Sequence, residues 1–150
     1  MNKPVFPPEI TMLQEANITP ILMRYMQATV TAGFPSPAAD YMEEEIDFNQ
    51  YLRPRPSATF VIRVKGDSMV DAHIPDNSLL IVDRSVKPSS NSIVIAVIDN
   101  EFTVKRFIKN SSGIRLMPAN EKYKPIPITE HMDFKVWGVV TQIIINAHSV

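Results

Sequence analysis

From residue 58 onward the hydrophobic positions come in short β-type runs, at 58–64, 78–83, 92–98, 101–108, 114–117 and 134–146, broken by Pro-, Asn- and Ser-rich turns. Closely spaced runs of this kind predict a mainly β domain, partly closed and barrel-like. Asp99-Asn100, between two of the runs, suits the positive φ angles of a two-residue hairpin. That loop fixes a register: residues 98 and 101 face each other, positions whose numbers sum to 199 pair, and Lys105 stands opposite Val94 with Thr103 and Phe107 on its own largely apolar face. The last run is long and apolar around Trp137 and Gly138, so it needs covering by its own sheet or by a second subunit.

Residues 1–57 read differently. Thr19 as a cap with Pro20 in the first turn predicts a short amphipathic helix over 19–29, carrying Met23 and Met26. Ser36-Pro37 opens a second helix over 38–46, and Asp47 caps a short turn through Tyr51 before Pro54 and Pro56 stop it. Between these helices lies Thr31-Ala32-Gly33-Phe34-Pro35. Gly33 lets another backbone approach closely and Pro35 keeps Phe34 extended, so the segment can lie as a strand in a cleft. The expected organisation is an arm over 1–33, short helices and a linker over 34–57, and a β domain over 58–150.

Composition narrows the classes. The chain has 150 residues, enough for one domain and an arm. A formal net charge of −1 and the lack of a basic run argue against strong direct nucleic-acid binding. Cysteine is absent, which removes disulfide and thiol chemistry, and no metal or cofactor is expected. Glu43-Glu44-Glu45 reads as a solvated helix face, because consecutive helical residues point in different directions. No stretch is apolar for long enough to span a bilayer, so a soluble, cytoplasmic protein is expected.

The chemistry centres on Gly66-Asp67-Ser68-Met69, where a β run ends at a glycine and delivers a serine. A sharp turn there can expose the Ser68 oxygen and aim the N–H groups of Ser68 and Met69 at one point, as an oxyanion site requires. The same four residues also make an ordinary polar turn. A serine nucleophile needs a base. His73, His131 and His148 fall in turns or at the terminus, on no framework that would hold them. Lys105, in an apolar strand, is the remaining candidate, since burial lowers an ammonium's pKa and frees its lone pair.

Gly66-Asp67-Ser68-Met69, Leu79-Leu80-Ile81-Val82-Asp83 and Glu101-Phe102-Thr103-Val104-Lys105-Arg106, preceded by Ala32-Gly33-Phe34-Pro35-Ser36-Pro37-Ala38, resemble the UmuD family of self-cleaving, LexA-like serine peptidases. The resemblance runs from about residue 32 to 140. It implies that Ser68 is the nucleophile, Lys105 the general base and acid, and Ala32-Gly33 the bond that is cut. It also implies a homodimer that waits for RecA filaments on single-stranded DNA, whose shortened form serves a UmuC-like error-prone polymerase in SOS mutagenesis. Two turns depart from the family pattern, Asp76-Asn77-Ser78 and Asn91-Ser92, where asparagine replaces glycine and must tolerate positive φ.

Two other peptidase-fold classes fit less well. A LexA-like repressor needs a helix-turn-helix ahead of the cleavage site, and 32 residues without a basic recognition helix are too few. A leader peptidase with the same chemistry needs a membrane anchor. A catalytically inactive or regulatory dimerisation module remains the alternative.

Overall fold

In the computed structural model, the described residues are 11–13, 20–26, 32–33 and 43–149. They fall into two compact units, one within Asn17–Pro54 and one formed by Arg55–Val150 together with residues 11–13. The described residues are mainly β.

The larger unit is an eight-stranded antiparallel sheet. Its strands are β1 (Thr11–Leu13), β4 (Thr59–Arg63), β5 (Leu79–Asp83), β6 (Ile93–Ile98), β7 (Glu101–Asn110), β8 (Gly113–Met117), β9 (Ile126–Pro127) and β10 (Phe134–Ile144). Their order across the sheet is β1-β4-β5-β10-β6-β7-β8-β9, so the sheet is open, with β1 and β9 at its edges, and not a closed ring. All six runs read from the sequence are strands at close to the expected bounds; β1 and the two-residue β9 were not anticipated.

The hairpin between β6 and β7 has the expected register, Ile98 against Glu101 and Val94 against Lys105. Asp99 and Asn100 both take positive φ, 48° and 67°, the twist a two-residue loop needs to continue right-handed strands. Asn77 and Asn91 also sit at positive φ, 71° and 78°, as the two asparagine turns require.

Alternation along β7 sends Phe102 and Val104 into one core, and Phe107 into another on the opposite side. The first core contains Ile62, Leu80 and Ile95, each with no exposed surface, and Trp137. Each such aliphatic side chain contributes on the order of 1.5–3 kcal/mol by burial. Trp137 packs 5.2 Å from Phe60 and edge-on at 6.0 Å to Phe102, with the Arg84 guanidinium 4.5 Å over its ring. It lies where the register of β10 against β6 slips between Val136 and Gly138. Gly138 is required there, since a Cβ would meet Val82 Cγ1 at 2.5 Å. The final strand is thus covered by its own sheet over this stretch, its first half pairing with β6 and its second half with β5.

Where β5 ends, Asp83 is 2% exposed. Its carboxylate accepts from Arg55 Nε at 2.7 Å and from Ser85 N and Oγ at 2.8 and 2.6 Å. Burial pushes its pKa up, but the Ser85 hydrogen bonds and Arg55 outweigh that and hold the carboxyl below its ordinary value.

The smaller unit corrects two helix expectations. Leu22–Met26 is a strand, β2, paired antiparallel with β3 (Glu43–Asp47), so neither 22–26 nor 43–46 is helical. Met23 and Tyr25 alternate with Leu22, Arg24 and Met26 as readily at period two as at helical period, and the partner strand decides between them. The Glu43-Glu44-Glu45 run accordingly lies on a strand. The rest of the expected helices, 19 and 27–29 and 38–42, lies outside the described residues. Asp47 does cap α1 (Phe48–Leu52): its Oδ1 accepts from Asn49 N at 2.9 Å, and also from Ile21 N at 3.0 Å.

Candidate active site

Ser68 sits just beyond β4, on a loop held at both ends. Val64 N donates to Ser78 O at 2.9 Å and Asn77 N to Val64 O at 2.8 Å, closing the mouth of the excursion between β4 and β5. Gly66 takes φ 101°, and its N–H donates to Asp76 Oδ1 at 2.8 Å. A left-handed glycine followed by a short 3-10 turn, Val70–Ala72, reverses the chain so that Met69, 1% exposed, anchors the loop in the first core while Ser68 stays half-buried.

Lys105 arrives from the middle of β7. It is 8% exposed, opposite the fully buried Val94. Its Nζ lies 3.0 Å from Ser68 Oγ, 2.9 Å from Thr103 Oγ1 and 3.0 Å from Val104 O. Burial pushes the ammonium's pKa below its ordinary value. As an ammonium, Lys105 has three N–H donors, and the three contacts give each one an acceptor: Ser68 Oγ, Thr103 Oγ1 and Val104 O.

The structure therefore brings Ser68 and Lys105 together across 37 residues of sequence. Among the described residues, the N–H groups of Ser68 and Met69 donate to no protein acceptor. His73 ends the 3-10 turn at φ 63° and is exposed, as are His131 and His148. Ala32 and Gly33 belong to the smaller unit; both are exposed bend residues, Gly33 at φ 107°. Among the described residues no group of His, Asp or Glu is arranged to hold a metal ion, and no helix is long and apolar enough to cross a membrane.

One feature of the site has no counterpart in the sequence reading. The segment after β8 docks on the serine loop: Ala119 N donates to Ser68 O at 2.8 Å and Asp71 N to Ala119 O at 2.9 Å. Asn120 Nδ2 donates to Asp67 O at 2.9 Å, and Tyr123 OH to Asp67 Oδ1 at 2.5 Å. Asn120 and Tyr123 also form their own turn, with Tyr123 N donating to Asn120 O at 3.1 Å and Lys122 N to Asn120 Oδ1 at 3.0 Å. Asparagine opening a polar turn was the available sequence signal, but it does not say which distant backbone the turn will meet.

The chain matches the Peptidase S24-like family over residues 24–141. It belongs to that family. The protein SamA of Salmonella typhimurium is 46% identical over 118 residues, covering 79% of this chain and 81% of SamA. MucA of Escherichia coli is 43% identical over 123 residues, covering 81% and 83%. The LexA repressor of Caldicellulosiruptor saccharolyticus is 44% identical over 115 residues, covering 77% of this chain and 55% of the repressor. SamA, ImpA and MucA are UmuD-family proteins, so the resemblance read from the serine and lysine motifs holds over most of the chain. This S24 chain is accordingly an SOS mutagenesis protein with a self-cleaving peptidase fold.

Proposed function

We propose that this S24 chain hydrolyses its own Ala32-Gly33 peptide bond, with Ser68 as nucleophile and Lys105 as general base and acid. The observation that carries this reading is the 3.0 Å approach of Lys105 Nζ to Ser68 Oγ in a setting that lowers the lysine's pKa. Neutral Lys105 accepts the Ser68 proton as Oγ attacks the Ala32 carbonyl carbon. The N–H groups of Ser68 and Met69 hold the oxyanion of the tetrahedral intermediate. Collapse breaks the C–N bond, and Lys105, now an ammonium, returns the proton to the departing Gly33 amine. Water, deprotonated by the same lysine, then hydrolyses the ester on Ser68 and restores the hydroxyl. Thr103 and the Val104 carbonyl keep the amine directed at Ser68 through both half-reactions.

In this account a RecA filament on single-stranded DNA promotes the cleavable arrangement, and residues 33–150 act as a homodimer with a UmuC-like translesion polymerase in the cytoplasm. The family likeness supports that setting. The test is intact-mass measurement of purified protein with and without activated RecA. The expected products are fragments 1–32 and 33–150, absent in Ser68→Ala and in Lys105→Ala. A folded wild-type chain that stays whole under every condition would leave the protein as a dimerisation module without activity.

A further inference from the structure

Four hydrogen bonds tie the loop around Ser68 to the segment from Ala119 to Tyr123, and two of them fall on consecutive peptide planes. The carbonyl of the 67–68 peptide accepts from Asn120 Nδ2 at 2.9 Å, and the carbonyl of the 68–69 peptide accepts from Ala119 N at 2.8 Å. No cis peptide occurs among the described residues, and in a trans peptide the C=O and N–H point in opposite directions. The N–H groups of the same two planes are those of Ser68 and Met69. Holding both carbonyls against residues 119 and 120 therefore turns both N–H groups away from that segment. Among the described residues they donate to no protein acceptor.

We infer that Asn120, assisted by Tyr123, is a positioning residue of the peptidase site: its side chain fixes the 67–68 peptide plane, beside the 68–69 plane held by the Ala119 N–H, so that the N–H groups of Ser68 and Met69 are aimed to receive the oxyanion. The inference rests on the reading of Ser68 as nucleophile. Asn120 reaches the loop from a turn it caps itself, its Oδ1 accepting from Lys122 N while its Nδ2 donates to Asp67 O. Tyr123, three residues on, grips the Asp67 carboxylate from the same turn. Preorganised donors act on a transition state only when their direction is set beforehand, since reorienting a peptide plane during the reaction would consume part of the stabilisation. A loop containing Gly66 at φ 101° has the freedom to rotate these planes, and the Asn120 turn removes that freedom.

Asn120→Asp separates the two roles of the side chain. It keeps the oxygen that accepts from Lys122 N and places a second oxygen, unable to donate, against the Asp67 carbonyl. Tyr123→Phe removes only the hydroxyl. Both are made in the full chain beside Ser68→Ala, and two rates are followed. One is spontaneous self-cleavage from about pH 7 to 10.5. The other is phosphonylation by a fluorophosphonate, in which the Ser68 oxygen bonds to phosphorus and fluoride leaves.

Asn120→Asp is expected to slow both reactions by roughly 10- to 100-fold, less than or comparable to loss of a whole oxyanion donor. The midpoint of the pH–rate profile should not move in Tyr123→Phe, which adds no charge and leaves the contacts of Lys105 untouched, whereas the carboxylate of Asn120→Asp can only raise it. Tyr123→Phe should slow both several-fold, and circular dichroism should show both variants folded. A folded Asn120→Asp variant reacting at the wild-type rate would overturn the inference. So would a shifted pH midpoint in Tyr123→Phe, which would place the effect on Lys105, or slowed cleavage with unchanged phosphonylation, which would place it on seating of the arm. If Ser68→Ala still cleaved, the nucleophile assignment itself would fall, whatever Asn120 does.

Discussion

Lys105 Nζ stands 3.0 Å from Ser68 Oγ although the lysine comes from the middle of a buried strand and the serine from a loop. The hairpin that sets the register of β7 and the glycine turn that follows β4 have to be right together for this approach to exist. Each is a place where the backbone adopts a conformation that few residue types allow, and each can be perturbed alone.

At Gly66 an added Cβ would meet nothing within 4 Å, so the requirement for glycine is conformational rather than steric. With φ at 101°, Gly66→Ala is expected to cost about 1–2 kcal/mol or to move the loop. Urea unfolding should register the loss, and self-cleavage should slow by more than the loss of folded protein explains.

At Asn100, φ of 67° makes glycine an equal or better fit and a β-branched residue a poor one. Asn100→Gly should leave stability unchanged or raise it by up to about 1 kcal/mol, whereas Asn100→Val should lower it by about 1–2 kcal/mol. Thermal and urea denaturation of the two variants side by side will separate them.

How much of this could be read in advance depended on whether a local signal existed. The strand runs from 58 onward carry strong β patterning bounded by turn residues, and the Asp99-Asn100 loop by itself pairs Lys105 with Val94. Asn77 and Asn91 could be assigned positive φ because each stands where the resembled family has glycine, and asparagine tolerates that conformation best among the other residues. Leu22–Met26 failed, because five residues of mixed Leu, Met and Tyr fit either period and the outcome was set by pairing with Glu43–Asp47, far along the chain. The grip of Asn120 on Asp67 was invisible for a related reason: a side chain donating to a backbone carbonyl 53 residues away leaves no pattern in either stretch.

Asp83 supplies a prediction about acid. Its folded pKa lies below the ordinary carboxylate value, so its pairing stabilises the fold above about pH 4 and is lost as pH falls through the folded value. Asp83→Asn should cost about 1–2 kcal/mol near neutral pH, through the hydrogen bonds it weakens to Arg55 and Ser85. Arg55 is half exposed and can turn to water, which keeps the cost below that of stranding a buried charge. The gap between wild type and variant should narrow as acid is added, and unfolding curves at a series of pH values from about 2 to 7 will show whether it does.

If a neutral, buried Lys105 accepts the Ser68 proton, the rate of spontaneous self-cleavage must follow the deprotonation of that lysine as pH rises. Burial lowers the lysine's pKa from its ordinary value of about 10.5, so the neutral fraction grows as pH rises towards the lowered value. A histidine base, with an unperturbed pKa of about 6.5, would already be mostly neutral at pH 7. The measurement follows the yield of 1–32 and 33–150 by intact mass from about pH 6 to 11, with circular dichroism confirming the fold at each point. The expected result is a rate that climbs from neutral into the alkaline range, and no cleavage at any pH in Lys105→Ala. A plateau already reached by about pH 7.5 with the fold intact, or cleavage in a folded Lys105→Ala chain, would contradict it.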